Sequence, residues 1–185
     1  MGMADATTAR NDRAGIVEAA LRILDTHGLG DLTMRRLAAE LDVRASALYW
    51  HFDSKQVLLA ALADRIVRAA EVADDASPAE VALALRDALL AHRDGAEVVL
   101  STQALALGED APRRRLAEAL ARTLPQDDAD RGAAILLPFV LGHASLVQQR
   151  LQAAELGVVP GDGADAADAD FRHGVAVILA GLGAG

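Results

Sequence analysis

The stretch Arg44-Ala45-Ser46-Ala47-Leu48-Tyr49-Trp50-His51-Phe52 decides how this chain folds. It holds three of the five Phe, Trp and Tyr residues in a sequence of 185 residues. With helical spacing, Leu48 and Phe52 lie on one face, while the other faces carry small, cationic or hydrogen-bonding side chains. The stretch is therefore predicted to be a short helix with one apolar edge and one exposed polar side.

A second short helix is predicted just before this stretch. In residues 32–41, apolar side chains recur from Met34 at the spacing i, i+3, i+4, i+7, which indicates a helix with one buried stripe. Thr33 is its predicted N-cap. Only Asp42-Val43 separates the two helices, and Asp tolerates the left-handed backbone of a tight turn. Two short helices joined in this way form a helix-turn-helix, whose second helix enters the DNA major groove.

A longer series of residues surrounds this unit at fixed spacing: Ile16-Val17-x-x-Ala20-x-x-x-Leu24, His27-Gly28, Leu32-Thr33-Met34-Arg35-x-Leu37-Ala38 and Leu48-Tyr49-Trp50-His51-Phe52-x-x-Lys55-x-x-Leu58-Leu59. The series resembles the DNA-binding domain of the TetR family of transcriptional repressors. The resemblance implies an N-terminal DNA-binding domain at residues 1–73 and a C-terminal ligand-binding and dimerisation domain at residues 74–185. The sequence departs from the family at Asp42, where Gly is usual, and at Arg44, where a small capping residue is common.

The resemblance also implies which residues contact DNA. Arginine is the usual bidentate partner of guanine O6 and N7, whereas contacts to phosphate fix the register without reading sequence. The candidate base readers are Arg35, Arg44, Ala45 and Ser46. The candidate phosphate contacts are Tyr49, His51 and Lys55, with Thr33 completing the set. The alternative for each is a solvated surface side chain, and Trp50 is expected to pack at the domain boundary.

Composition favours an all-α protein. Ala and Leu dominate, and alternating β-branched residues are nearly absent. The absence of Cys excludes disulfides, thiolate metal sites and cysteine nucleophiles. The five His residues show no metal-ligand spacing, and no Ser stands in a nucleophile motif, so an all-α enzyme is the weaker alternative. No signal peptide is evident, and the longest apolar runs, 133–141 and 174–182, are shorter than the roughly 20 residues that span a bilayer. We therefore expect a cytoplasmic protein.

Charge is divided unevenly along the chain. The formal net charge is -9, but residues 1–70 contain nine Arg or Lys and nine Asp or Glu, so all of the excess acid lies after residue 70. The cations Arg35, Arg36, Arg44 and Lys55 are clustered in the neutral N-terminal part. This part can face phosphate, while the acidic remainder limits non-specific binding.

Capping and breaking signals predict the remaining elements. Residues 1–9 are expected to be a disordered arm, and Ser77-Pro78-Ala79-Glu80 opens a helix with a capping box. A first helix is expected at 10–27, and a capping box at Asp53 and Gln56 is expected to open a helix that is unbroken to about residue 73. Further helices are expected at 111–123, with a solvated Arg113-Arg114-Arg115, and at 127–156, a long helix that contains Pro138. An acidic loop at 157–170 and a closing helix at 171–182 complete the prediction.

The C-terminal part carries a second resemblance. Leu89-Leu90-x-His92-Arg93-Asp94-Gly95-Ala96-x-Val98-x-Leu100-x-Thr102, Leu141-Gly142-His143 and the closing segment are similar to the tetracycline-type repressors. These proteins bind a drug-magnesium chelate through a His that follows the His-Arg-Asp-Gly motif, but Val99 occupies that position here. We therefore expect no metal, no cofactor and an apolar small-molecule effector.

The candidate effector pocket combines apolar walls with a few orienting polar groups. The alternative for each residue is ordinary helix-bundle core. The apolar candidates are Val81, Leu85, Val99, Leu100, Leu116, Leu120, Phe139 and Leu146, and the polar ones are Thr102, Gln103, His143 and Gln148.

The two last helices are expected to form the dimer interface. The closing helix is apolar on more than one face, since Phe171, Val175, Ile178 and Leu182 share one face and Val177 and Leu179 lie on others. In the family, this helix and the long one before it form a four-helix bundle with a second subunit. The sequence therefore predicts a homodimeric, ligand-responsive repressor of a palindromic operator in double-stranded DNA. The alternative is a DNA-binding dimer without an effector.

Overall fold

A computed structural model describes residues 12–159 and 164–184 of the chain. The described residues form helices and connecting turns without a strand, which confirms the all-α prediction. The predicted N-terminal arm lies outside the described residues. The helices are α1 (Arg13–His27), α2 (Met34–Glu40), α3 (Ala45–Tyr49), α4 (Lys55–Arg68), α5 (Pro78–Leu90), α6 (Gly95–Ala104), α7 (Ala111–Leu120), α8 (Gln126–Glu155) and α9 (Ala164–Leu182).

Helices α1 to α4 form the N-terminal unit, and local signals set the ends of the first three. Thr33 caps α2 as predicted, because its hydroxyl accepts a hydrogen bond from the Arg36 amide at 3.1 Å. Asp42 adopts the left-handed conformation expected for the turn, with φ 55°. Leu48 and Phe52 are fully buried and fix α3 against the core of the unit.

Helix α4 differs from the prediction at both ends. Its N-cap is Ser54, whose hydroxyl accepts from the Val57 amide, instead of Asp53 in a capping box. It ends at Arg68 instead of continuing to about residue 73. The residues that follow include the exposed acids Glu71 and Asp74, and acids near a helix C-terminus oppose the helix dipole.

Helices α5 to α9 form the C-terminal unit around α8. Ser77 and Glu80 make the predicted capping box at the start of α5. Helix α8 contains Pro138, which faces outward, and packs against α5, α6, α7 and α9. By length and composition α8 could cross a membrane, which the short apolar runs did not suggest, but a buried core helix meets the same criterion. Its inward-facing Leu136 and Val140 are fully buried.

The predicted acidic loop is shorter than expected. Helix α9 begins at Ala164, so residues 164–170 are helical instead of belonging to a loop at 157–170. These residues alternate Ala with Asp, and Ala is the strongest helix former, while acids are favourable in the first turns of a helix. Composition that resembles a flexible linker is therefore also compatible with the start of a helix.

Candidate nucleic-acid interface and effector cavity

The predicted recognition helix α3 is held by its apolar edge. It spans only five residues, and its N-cap residue Arg44 makes no side-chain capping hydrogen bond. An isolated helix of this length is not stable in water, so burial of Leu48 and Phe52 provides its support. Arg44 is exposed at the start of the helix.

The predicted base readers and phosphate contacts lie on the surface. Among them, Lys55 is half-buried at the first turn of α4. Thr33 also carries the N-cap of α2, so its position has a structural reason independent of DNA. The exposed members on α2 and α3 and in the turn after them are Arg35, Arg44, Ala45, Ser46, Tyr49 and His51.

Trp50 does not pack at the domain boundary as expected. Its side chain is 89% exposed, and the neighbouring Tyr49 is 49% exposed. The helical period explains this exposure. Leu48 and Phe52 are four residues apart and lie on the buried face, so Tyr49 and Trp50, which lie between them, point outward. Two adjacent exposed aromatic side chains next to cationic residues suit contact with sugar and phosphate.

Arg13, a residue that the sequence pattern did not single out, supports the C-terminal end of the recognition helix. Its guanidinium donates a hydrogen bond to the backbone carbonyl of His51 and lies 4.3 Å from the centroid of the Phe52 ring. The contact joins the first turn of α1 to the segment that carries two predicted phosphate contacts. A pattern of apolar periodicity contains no signal for it, since the pair is 38 residues apart.

The His-Arg-Asp-Gly segment joins the two units of the chain. Asp94 has a left-handed backbone with φ 55°, and its carboxylate accepts a hydrogen bond from the Leu29 amide at 2.7 Å and another from the Gln152 side chain. His92 lies 3.1 Å from the carboxylate of Asp25. The motif therefore links the α1–α2 connection to α6 and α8.

Gly95 is required by the tightness of this turn. A β-carbon at position 95 would lie 2.5 Å from the carbonyl oxygen of Leu89 and 3.3 Å from the His92 side chain. Real β-carbons do not approach a backbone oxygen so closely, so any side chain here would displace the end of α5. The motif's glycine thus has a packing reason.

Two of the side chains predicted to contact the ligand, Gln148 and Thr102, form hydrogen bonds with the protein backbone instead. The Gln148 amide donates to the carbonyls of Leu89 at 2.9 Å and His92 at 2.7 Å and accepts from the Ala96 amide at 3.0 Å. The Thr102 hydroxyl donates within its own helix to the carbonyls of Val98 and Val99. Both side chains are buried, and their hydrogen-bonding groups are used to fix α6 and the turn before it.

The residues predicted to form the apolar walls of the pocket lie partly in the hydrophobic core and partly on the surface. Leu100 is 41% exposed and Leu146 is 63% exposed, so these two side chains do not line an interior pocket as expected. The helical period explains the difference, because Val99 and Gln148 occupy the inward positions of the same turns. Gln103 is half-buried at the end of α6. The remaining members are packed in the hydrophobic core and are Val81, Leu85, Val99, Leu116 and Leu120.

Phe139 and His143 belong to an aromatic cluster between α5, α8 and α9. Phe139 stacks on Phe171 with ring centroids 5.6 Å apart, and His143 lies 5.0 Å from Phe171. The buried Arg86 guanidinium lies over the same ring and forms an ion pair with Asp168 at 2.8 Å. Burial, with a smaller contribution from Arg86, lowers the pKa of His143 below its ordinary value, so this imidazole favours the neutral form.

Of the predicted ligand-binding residues, Val81 lines one surface cavity and Gln148 lines another. The cavity that Val81 lines has a volume of about 410 Å³ and lies between the end of α4, the following linker, α5 and α7. Its walls include Glu71, Asp74, Arg115, Glu118 and Arg122. This cavity is more polar than the apolar pocket that was predicted.

Arg115 is not a solvated side chain, although the sequence pattern suggested one for the Arg113-Arg114-Arg115 triplet. Its guanidinium donates to backbone carbonyls of Val67 and Ala70. Arg113 pairs with Asp110 on the surface. Within the described ranges, no group of three or more His, Asp or Glu side chains is placed to hold a metal ion.

Comparison with known proteins gives a consistent set of relatives. A family model described as bacterial regulatory proteins, tetR family, matches residues 16–62. The class A tetracycline repressor protein of Escherichia coli is 31% identical, over 90% of this chain and 88% of that protein. The class D repressor from Escherichia coli is 39% identical, but over 51% of this chain and 47% of that protein, so this match spans about half the length of that relative.

Three solved structures are similar over nearly the whole chain. The crystal structure of Mycobacterium smegmatis BioQ is 40% identical, with a TM-score of 0.83 over 94% of this chain and 99% of that one. BioQ with its double-stranded DNA operator is 39% identical, with a TM-score of 0.78 over 94% and 99% of the two chains. A TetR variant from Acinetobacter baumannii in complex with minocycline is 30% identical, with a TM-score of 0.74 over 92% and 96%.

Proposed function

The chain belongs to the TetR family of bacterial regulatory proteins, and on this basis we propose that it is a transcriptional repressor that binds double-stranded DNA through α3. The single observation that carries the proposal is the construction of α3: a five-residue helix anchored by Leu48 and Phe52 that presents Tyr49 and Trp50 to solvent. Exposing two large aromatic side chains has no folding benefit, so their position fits a binding surface. The similarity to BioQ, which was crystallised with its DNA operator, supports the same assignment.

The cationic residues beside these aromatic side chains would recognise the DNA sequence. Arg36 is engaged with Asp31 at 3.2 Å, whereas Arg35 and Arg44 make no ion pair with any part of the chain that the structure describes. Arg35 precedes the turn, and Arg44 begins α3, so each can reach a base edge when α3 lies in the major groove. Tyr49, with Lys55, would contact the flanking phosphates.

The repressor acts as an isologous homodimer through α8 and α9. Both helices keep large apolar side chains on the surface, including Ile135, Leu146 and Val177. A β-carbon placed at Gly142 or Gly181 would meet no atom within 4 Å, so these positions leave room for close approach of another helix. A twofold dimer would place two recognition helices in successive major grooves about 34 Å apart, which matches a palindromic operator.

A small-molecule effector binds next to the junction of the two units. The cavity lined by Val81 lies where a bound molecule would touch the linker that follows α4, the last helix of the N-terminal unit. Its apolar lining residues Val81, Ala76 and Ala119 suit the apolar body predicted for the effector, and its charged rim would orient a polar end. The minocycline complex of the Acinetobacter baumannii relative supports a small-molecule effector of some kind. The effector shifts the DNA-binding equilibrium only by its difference in affinity for the two states, and operator and effector weaken each other reciprocally.

One observation favours a second candidate, a DNA-binding dimer without an effector. Val99, Leu116 and Leu120, which were predicted to line the pocket, are fully buried among other core side chains. Thermal unfolding in the presence of a chemically diverse compound set separates the two candidates. A compound that raises Tm and lowers operator affinity supports the effector, whereas a compound set without such a member favours the second candidate.

The function is tested by fluorescence anisotropy with the DNA that flanks the gene, at two salt concentrations. We expect a tight and sequence-selective complex whose affinity falls steeply with salt, as phosphate contacts require. Tyr49→Ala should weaken it, while Leu105→Ala, a matched exposed apolar residue after α6, should not. Lys55→Ala should reduce the salt slope by about one unit. Binding that is insensitive to Tyr49→Ala would contradict the assignment of α3 as the DNA-binding surface.

A further inference from the structure

Two arginines of α7 and of the turn that follows it reach back to the end of the DNA-binding unit. Arg115 donates from one guanidinium nitrogen to the carbonyl oxygens of Val67 at 3.2 Å and Ala70 at 2.8 Å. Arg122, in the turn that follows α7, donates to the carbonyl of Ala76 and, at 3.4 Å, to that of Asp74. Together the two side chains follow the backbone from the last turn of α4 through the linker to α5.

Arg115 adds a second donor to a carbonyl at the end of α4, because the Val67 carbonyl also accepts a hydrogen bond from the Ala70 amide at 3.1 Å. The last four carbonyls of a helix lack intrahelical donors, and a cation at this end also interacts favourably with the helix dipole. Helix α4 ends at Arg68, so the carbonyl of Val67 belongs to this set. Arg115 thereby acts as a cap supplied by a different unit of the protein, 48 residues away in sequence.

Other contacts across the same junction involve side chains of α4 and not the carbonyl groups at its end. Asp64 accepts a hydrogen bond from the Glu109 amide at 3.0 Å, and Arg68 forms an exposed ion pair with Glu109 at 3.3 Å. These contacts hold α4 against the α6–α7 connection. In the linker of residues 69–77, Ala70 and Ala76 are buried in the core, and the two arginines bind the backbone carbonyls of these same residues. Both arginines also line the cavity of about 410 Å³.

We propose that Arg115 and Arg122 form a clamp that fixes the last turn of α4 and the linker, and thereby keeps the DNA-binding unit in its operator-binding position. The clamp is a positioning device: neither arginine contacts DNA. The inference rests on the proposed function, because it assigns the regulation of that same cavity. A molecule that brings acceptor oxygens into the cavity competes with the backbone carbonyls for the guanidinium donors, and this competition releases the end of α4.

The clamp is tested in the free protein by hydrogen–deuterium exchange of the amides in residues 66–76. We expect Arg115→Gln combined with Arg122→Gln to speed their exchange on the order of tenfold, because hydrogen bonds to a charged donor are lost. The control is Arg114→Gln, which removes an exposed arginine from the same helix and should leave exchange unchanged. Arg115→Lys, which keeps the charge and a donor, should restore part of the protection.

The pattern of exchange separates a clamp from general stabilisation. A clamp predicts faster exchange in residues 66–76 alone, whereas a general loss of stability raises exchange of the slow amides in α1 and α8 as well. Unchanged exchange in the double variant, or an equal increase in all helices, would overturn the proposal.

Operator binding then tests the coupling. The double variant should bind the operator on the order of tenfold more weakly, with an unchanged salt slope, because no phosphate contact is removed. Faster local exchange with unaltered operator affinity would refute the coupling of the clamp to DNA binding. Failure of the unmodified protein to bind selectively would refute the proposed function instead, and the exchange result would still decide whether the clamp exists.

Discussion

Replacement of Asp94 by alanine should destabilise the protein more than its position on a surface turn suggests. The Asp94 carboxylate accepts hydrogen bonds from the Leu29 amide, 65 residues away, and from the Gln152 side chain. Its backbone is left-handed, with φ 55°. Alanine removes both hydrogen bonds and also occupies this conformation less readily than aspartate.

The two contributions can be estimated separately. Loss of a hydrogen bond to a charged acceptor at a half-buried amide costs about 1.5–3 kcal/mol. The left-handed conformation costs alanine roughly 1–2 kcal/mol, and less for aspartate. Counting the Leu29 hydrogen bond and the conformational cost alone, the sum for Asp94→Ala is about 3 kcal/mol, which corresponds to a fall in Tm of roughly 6–12 °C for a chain of this size. Asp94→Gly removes the backbone strain and should cost about 1 kcal/mol less than alanine.

Asp94→Asn should be the mildest of the three substitutions. Asparagine keeps an acceptor oxygen and tolerates the left-handed conformation, and the Gln152 amide can rotate to pair with the new NH₂ group. Its cost is limited to the loss of charge, on the order of 1 kcal/mol. The matched control is Asp42→Ala, since Asp42 has the same φ of 55° but lies in the exposed helix-turn-helix turn.

Urea unfolding measures these differences at one fixed protein concentration, because the stability of the proposed homodimer would depend on concentration. Circular dichroism is the better probe, since the single Trp, Trp50, is already exposed in the folded chain. We expect the loss of unfolding free energy to increase from Asp94→Asn through Asp94→Gly to Asp94→Ala. Equal free energies of unfolding for all three variants, or a loss for Asp42→Ala as large as that for Asp94→Ala, would refute the reasoning.

Three further outcomes are expected. Arg13→Gln removes the hydrogen bond to the His51 carbonyl and should weaken binding to all DNA sequences by a similar factor, measured by anisotropy. A change in the relative preference among sequences would contradict a positioning role. Gly95→Ala should lower stability by about 1–3 kcal/mol in urea unfolding, because its β-carbon would lie 2.5 Å from the Leu89 carbonyl oxygen. Burial raises the pKa of Asp64 above its ordinary 3.8, so the folded state favours the protonated acid and this group's contribution to stability falls as pH rises from 3.8 through the raised pKa. Asp64→Asn should flatten the dependence of unfolding free energy on pH in that window, and an unaltered slope would argue against a perturbed carboxyl.

Most predictions from local signals are confirmed where one or two turns of chain contain the whole cause, although the capping box predicted at Asp53 and Gln56 is replaced by an N-cap at Ser54. Thr33 caps α2, Ser77 and Glu80 form the capping box of α5, and Asp42 makes the left-handed turn. Each of these depends on residues within four positions. Helix ends without such a signal were read less well, as the early end of α4 and the early start of α9 show.

The candidate sites were predicted with different success. The exposed surface of α3 follows from the helical period of its buried residues, so the sequence was sufficient to place Tyr49 and Arg44 on it. The effector pocket was not predictable in the same way. Leu100 and Leu146 have the apolar character of pocket walls but face outward, and Gln148 has the character of a ligand contact but holds three backbone groups.

The sequence by itself determined the class of fold, the helix-turn-helix and the exposed surface of α3 that is proposed to contact DNA, because periodicity, capping and turn formation are properties of short segments. The tertiary structure alone decided the long-range contacts that join the two units and that support α3 within the N-terminal unit. Asp94 reaches Leu29, Arg115 reaches Val67, and Arg13 reaches His51. Each is a charged side chain bound to a backbone group, and a backbone group has the same chemistry at every residue. The backbone partner of such a side chain therefore cannot be identified from the sequence. It is determined only when packing of the apolar core brings distant segments together.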